Sequence, residues 1–139
     1  VVGASSDHNI KGGLIAEFTN YGKNSVNVFA PGVKMYSTVP TTDNYSFLQG
    51  TSMAAPVVSG LAALIFSYFP NLSAVEVKSI IEQSVDTTYS NEEFTMPGEP
   101  SNNKITIGAS CTAGGVVNAY KAVKLAAQKS EAKLRLIKN

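Results

Sequence analysis

The segment Gly50-Thr51-Ser52-Met53-Ala54-Ala55-Pro56 is the part of this chain best suited to chemistry. A glycine precedes a Thr-Ser pair that opens an apolar stretch, in which Ala54, Val57, Val58, Leu61, Leu64, Ile65 and Tyr68 recur at helical spacing. Ser52 therefore falls in a first helical turn. Backbone N–H groups there lack intrahelical partners, and the positive end of the helix dipole points outward. Such a place stabilises an anion, including the oxyanion formed in acyl transfer. Gly50 removes side-chain bulk, so a carbonyl can approach. Pro56 has no N–H to offer the Ser52 carbonyl four residues back, which predicts local irregularity at the serine. The same residues also admit a plain structural reading, with Thr51 or Ser52 as an ordinary helix N-cap.

The other residues that could do chemistry are few. His8 is the single histidine and sits in a polar Ser-Ser-Asp-His-Asn-Ile setting. Asp7 beside it makes a tempting pair, but adjacent residues rarely face one site, and His8 reads as a loop residue. Asp43 reads as a turn residue. Cys111 is the single cysteine, so no disulfide can form within the chain. Its Ser-Cys-Thr-Ala-Gly-Gly surroundings offer no nearby base, so it reads as a small buried or semi-buried residue. No cluster of metal-ligating residues is apparent, and no cofactor is identifiable.

The elements that must position Ser52 follow from periodicity and punctuation. Val1 to Ser5 reads as a buried strand running into a turn. It begins abruptly, as if upstream sequence had been removed, and it carries no features of a signal peptide. Gly12-Gly13 and Asn20 to Asn24 mark loops, and Val26 to Ala30 reads as a strand stopped by Pro31-Gly32. Val33 to Val39 and Tyr45 to Leu48 are short extended pieces. The helix after Gly50 is apolar on nearly every side, so it is expected to be buried on a sheet, with Gly60 allowing close approach. Pro70 ends it. Ser73 opens a second helix with Glu76 three residues on, the spacing of a capping box, and Val77, Ile80, Ile81 and Val85 give that helix one apolar face. Residues 86–103 are polar and read as a long surface excursion. Lys104 to Ala109 reads as a short strand, and Gly114-Gly115 leads into a last helix through Val117, Tyr120, Ala122, Val123 and Leu125. The mixture points to an α/β class.

Composition narrows the partners. Apolar residues make up 44% and charged residues 15% of the 139, enough for a core. A formal net charge of +1 implies no nucleic-acid partner. Six basic residues lie between Lys121 and Lys138 against the single acid Glu131, which reads as a solvated terminal helix and tail over about 121–139. The stretch from Asn44 to Val75 carries no charge, and the apolar run within it is about as long as a short membrane span, which needs ~17–25 residues. It contains Pro56, Ser59, Gly60 and Ser67 and lacks basic flanks, so a core helix is the better reading.

Gly50-Thr51-Ser52-Met53-Ala54-Ala55-Pro56 closely resembles the nucleophile motif of the subtilisin-like serine proteases. Phe18-Thr19-Asn20-Tyr21-Gly22, Val28-Phe29-Ala30-Pro31-Gly32, Leu61-Ala62-Ala63-Leu64-Ile65 and Gly115-Val116-Val117-Asn118-Ala119 resemble further family segments in family order. The resemblance implies part of a subtilisin-like parallel-sheet sandwich, with a buried central helix starting at the nucleophile. It implies that residues 1–139 are the C-terminal portion of one such catalytic domain. Ser52 would be the nucleophile acting on a polypeptide substrate, and its N–H would help hold the oxyanion with Thr51 assisting. Leu48, Gln49 and Gly50 would line the channel at the scissile bond, with Met53 packed beside the serine. In that family the chain order is Asp, His, Ser, so both partners would lie upstream and the 139 residues alone would be inactive. The strands that normally pair with Val1 to Ser5 would leave exposed edges and apolar faces, favouring self-association. Calcium often accompanies the family, but no ligand is assignable, and export follows by analogy. A scaffold or binding module that keeps the shape without activity is the alternative. An α/β-hydrolase fits less well: its elbow asks for glycine where Ala54 stands, and no histidine follows Ser52.

Overall fold

The computed structural model describes residues 1–7, 9, 13–40 and 44–137. His8 and Asp43 lie outside the described residues. β1 (Val2–Ser5) and β2 (Val28–Pro31) pair in parallel, with Val2 opposite Val28 and Ser5 opposite Pro31. Parallel strands are normally covered on both faces, and these are. Strand alternation sends Ala30 to one face and Phe29 to the other. Ala30 meets Ala4, Ala16 and Ala54, and so the helix that follows Gly50, while Phe29 joins Ile15, Val26, Ile107 and Cys111. Cys111 is fully buried, as its surroundings suggest, and burial raises its thiol pKa.

Both outer edges of this pair are partly closed. Phe29 N–H donates to the Gly115 carbonyl at 3.1 Å, and Val117 N–H donates to the Phe29 carbonyl at 2.8 Å. On the β1 side, Ala4 N–H donates to Thr19 Oγ1 at 2.7 Å, and its carbonyl accepts from Ala16 N–H at 3.1 Å. The expected exposed edge over Val1 to Ser5 is therefore corrected at Ala4. A threonine hydroxyl and a loop amide stand where a strand would bond, which satisfies groups that would otherwise be orphaned.

α1 (Thr51–Tyr68) packs on β1 and β2. Only Ala54, Leu61 and Ile65 are buried, and Leu64, Phe66 and Tyr68 are exposed. The helix begins where the sequence indicates, but within this chain it is covered along one side rather than all round. A Cβ on Gly60 would meet nothing within 4 Å, so the expected close approach there is not realised among the described residues. α1 is long and apolar enough to cross a membrane by length and composition. Its buried residues are nevertheless fixed in a sheet and helix core.

α2 (Ala74–Gln83) opens on the capping box. The Ser73 hydroxyl accepts from Glu76 N–H at 3.3 Å, and Ser73 N–H donates to Glu76 Oε2 at 2.7 Å. Val77, Ile80 and Ile81 then pack with Leu61, Ile65, Leu72, Ala122 and Ala126. The 86–103 excursion carries more structure than its polarity suggests. β5 (Glu93–Thr95) pairs antiparallel with β6 (Lys104–Thr106), and Phe94 meets Phe29 edge to face at 6.4 Å. The strand expected to run to Ala109 stops at Thr106, whose hydroxyl accepts from Ala109 N–H at 3.3 Å. That cap starts a single turn, α3 (Ile107–Ser110).

α4 (Ala119–Ile137) buries Ala122, Ala126 and Ser130, while Tyr120 is exposed. The tail is also less solvated than its charge implies. Lys133 pairs with Glu76 at 2.7 Å, Lys121 with Asp86 at 3.4 Å, and Ser130 donates to Asn71 Oδ1 at 2.7 Å.

Candidate active site

Two glycines set the position of Ser52. Gly32 follows β2, and its carbonyl accepts from Gly50 N–H at 2.8 Å. Gly50 has φ 149°, a left-handed value that disfavours any side chain. Its carbonyl then accepts from Met53 N–H at 3.0 Å and Ala54 N–H at 3.2 Å, which closes the first turn of α1. The residue at the N-cap is Gly50, with no side-chain cap hydrogen bond, so neither Thr51 nor Ser52 acts as the cap. There is no acid in the first turn. The N–H groups of Thr51 and Ser52 itself thus keep their capacity for an anion, while those of Met53 and Ala54 are taken by the Gly50 carbonyl. The backbone irregularity expected at Ser52 lies two residues earlier, at Gly50. The helix runs unbroken through Pro56, which lies on its exposed side.

Ser52 is exposed, and among the described residues no side chain hydrogen-bonds its hydroxyl. A shallow groove of about 320 Å³ runs past it, between α1 and an antiparallel hairpin. The hairpin is β3 (Met35–Thr38) and β4 (Tyr45–Leu48), with Met35 opposite Leu48. Leu48 and Met53 line the groove together with Ser52, Met35 and Pro56. Gln49, Gly50 and Thr51 connect the hairpin to the helix and do not line it. Met35 is a wall of this groove that sequence reasoning missed; its register opposite Leu48 was the available signal. Tyr36 of the hairpin also lines the groove, and its ring packs against those of Tyr45 and Phe47, with ring centroids 5.6 and 4.8 Å apart. Among the described residues, no three His, Cys, Asp or Glu side chains converge on a point that could hold a metal ion.

The arrangement presents an exposed serine hydroxyl in the first turn of a helix whose start carries no side-chain cap and no acid. A base for the Ser52 proton is not found beside it among the described residues. A sequence model of the Subtilase family (peptidase S8) matches residues 1–122. Thermitase from Thermoactinomyces vulgaris is 38% identical over 109 residues, covering 78% of this chain and 32% of thermitase. Subtilisin DY from Bacillus licheniformis is 50% identical over 64 residues, covering 46% of this chain and 23% of that protein. Among solved structures, one describing subtilase cytotoxin SubAB assembly superposes with a TM-score of 0.68 at 28% identity, covering 96% of this chain and 38% of that one. The chain thus spans about a third or less of these curated relatives. With a family match over 122 of its residues and a subtilase-type α/β fold, the chain belongs to the Subtilase family.

Proposed function

We propose that these 139 residues are the C-terminal portion of a subtilase catalytic domain, and that they supply the nucleophile of a serine endopeptidase. The observation that carries this reading is Ser52, exposed in the uncapped first turn of α1 beside a groove. In the proposed reaction, Ser52 Oγ attacks the peptide carbonyl and its proton passes to a histidine base, oriented by an aspartate. The tetrahedral oxyanion accepts a hydrogen bond from Ser52 N–H, with the Thr51 hydroxyl assisting. Leu48, Gln49, Gly50 and Met53 bound the path of the polypeptide. The histidine and aspartate belong to sequence outside these residues, as the family order requires. Export is proposed by analogy with the relatives.

A fluorophosphonate probe tests the assignment. In the natural polypeptide carrying this sequence, rapid stoichiometric labelling is expected at Ser52 and nowhere else. In the isolated 139 residues labelling is expected to be negligible. Loss of triad members in subtilisins costs roughly 10⁴–10⁶ in kcat, and that magnitude is carried over from those enzymes. Rapid labelling of the isolated chain would overturn the need for an external base. Absence of labelling in the natural polypeptide would favour a non-catalytic scaffold.

A further inference from the structure

Gly32 stands at a three-way junction beneath the nucleophile. Its N–H donates to the Ser5 carbonyl at 3.0 Å, at the end of β1. Its carbonyl accepts from Gly50 N–H at 2.8 Å, at the start of α1. It is buried, and a Cβ added there would lie 2.8 Å from Ala4 Cβ, 2.8 Å from the Gly50 carbonyl oxygen and 3.2 Å from Ala54 Cβ. Its φ is outside the left-handed region, so the requirement is for space rather than for unusual backbone freedom.

These three contacts are not equivalent. Ala4 and Ala54 present methyl groups, and either can be removed by substitution. The Gly50 oxygen is backbone. It is also the acceptor that fixes Met53 and Ala54 N–H, the two donors bracketing the turn that carries Ser52. Any side chain at position 32 must therefore displace the helix start itself. We infer that Gly32 is a positioning residue for Ser52, acting through the Gly50 carbonyl to hold the nucleophile and its N–H at the height the reaction needs. This inference rests on the proposed acyl-transfer role of Ser52, and it adds a residue that the nucleophile motif does not contain.

A packing role alone predicts something different. If Gly32 only avoided a clash, relieving that clash would restore everything together. Ala4→Gly removes one of the two 2.8 Å contacts and leaves the Gly50 contact in place. The test uses the natural polypeptide carrying this sequence, with Gly32→Ala examined in both the wild-type and the Ala4→Gly backgrounds. Thermal midpoint, kcat, KM and hydrogen exchange of the Met53 and Ala54 amides are measured for all four proteins. The expected result is that the drop in midpoint caused by Gly32→Ala shrinks in the Ala4→Gly background. In both backgrounds kcat falls roughly 10- to 100-fold with KM little changed, as expected for a misplacement of the reacting group. Exchange at Met53 and Ala54 is expected to run roughly tenfold faster, as the first turn loosens.

Recovery of kcat in step with the midpoint would overturn the inference, as would unchanged kcat in the single variant. A wild-type protein with no activity would overturn the acyl-transfer reading instead. Hydrogen exchange would then decide the positioning role alone, and unchanged exchange at Met53 and Ala54 would sink it.

Discussion

α1 and α2 are consecutive helices built to opposite rules. α2 starts on a reciprocal capping box, carries Glu76 in its first turn and buries three side chains over ten residues. α1 starts on a glycine with no side-chain cap, has no acid in its first turn and buries three side chains over eighteen. In α2 the free N–H groups are satisfied locally, and the helix serves the core. In α1 they are left unsatisfied by side chains at the point where Ser52 sits. Under the proposed acyl-transfer role, α1 must stabilise a transient anion, and it cannot spend its N-terminal donors on a permanent cap. The comparison teaches that the reactive helix is held from outside, through Gly32 and Gly50, while the structural helix holds itself.

The sharpest way to break this comparison is Ser52→Ala in the natural polypeptide. Fluorophosphonate labelling should vanish, and turnover should fall by roughly 10⁴- to 10⁶-fold. Because Ser52 is exposed, the denaturation midpoint should barely move. A drop in stability comparable to that of a core variant would mean that Ser52 is structural. Next in size is Ile80→Ala on α2. Ile80 is fully buried against the α1 and α4 side chains, so a loss of about 2–5 kcal/mol is expected from urea denaturation. Ser73→Ala should cost about 1 kcal/mol by removing the cap of α2. If it left stability unchanged, the supposed contrast between a capped and an uncapped helix would have no energetic content.

Gly60→Ala sharpens the uncovered face of α1. With open space around that position in this chain, the isolated 139 residues should gain about 0.5–1 kcal/mol. A loss in the natural polypeptide would show that another part of the molecule covers that face. The smallest effect concerns pH. The Lys133 ammonium and the Ser73 groups hold the Glu76 carboxyl down to about 2 from an ordinary 4.5. Its folded pKa is depressed, so its stabilisation is present above about 4.5 and is lost as pH falls toward 2. Amide exchange around Lys133 on α4 and at the start of α2 should accelerate over that window, and Glu76→Gln should flatten the response. The pair is substantially exposed, which keeps the effect small.

Much of the frame was legible in the chain. The α2 cap was readable because its partners lie three residues apart and bond each other. The helix beginning near Ser52 was readable from apolar spacing. The strand from Lys104 was read too, though it ends at Thr106; its partner β5 was not, because Glu93–Thr95 is three residues long and lies in a polar stretch, and only pairing with β6 makes it a strand. The docking of the basic tail was equally hidden. Lys133 and Glu76 are 57 residues apart, and nothing local distinguishes a paired lysine from a solvated one.

By itself, then, the sequence determined which serine opens the reactive helix and where the neighbouring helix is capped. Those properties depend on backbone propensities and on bonds between residues three or four apart. Only the tertiary structure decided that α1 is covered along one side, and that Met35 joins Leu48 as a wall of the groove. It alone revealed that any side chain at Gly32 would meet the carbonyl that closes the Ser52 turn. Those are contacts between segments distant in the chain, and they exist only once β1, β2 and α1 are packed together.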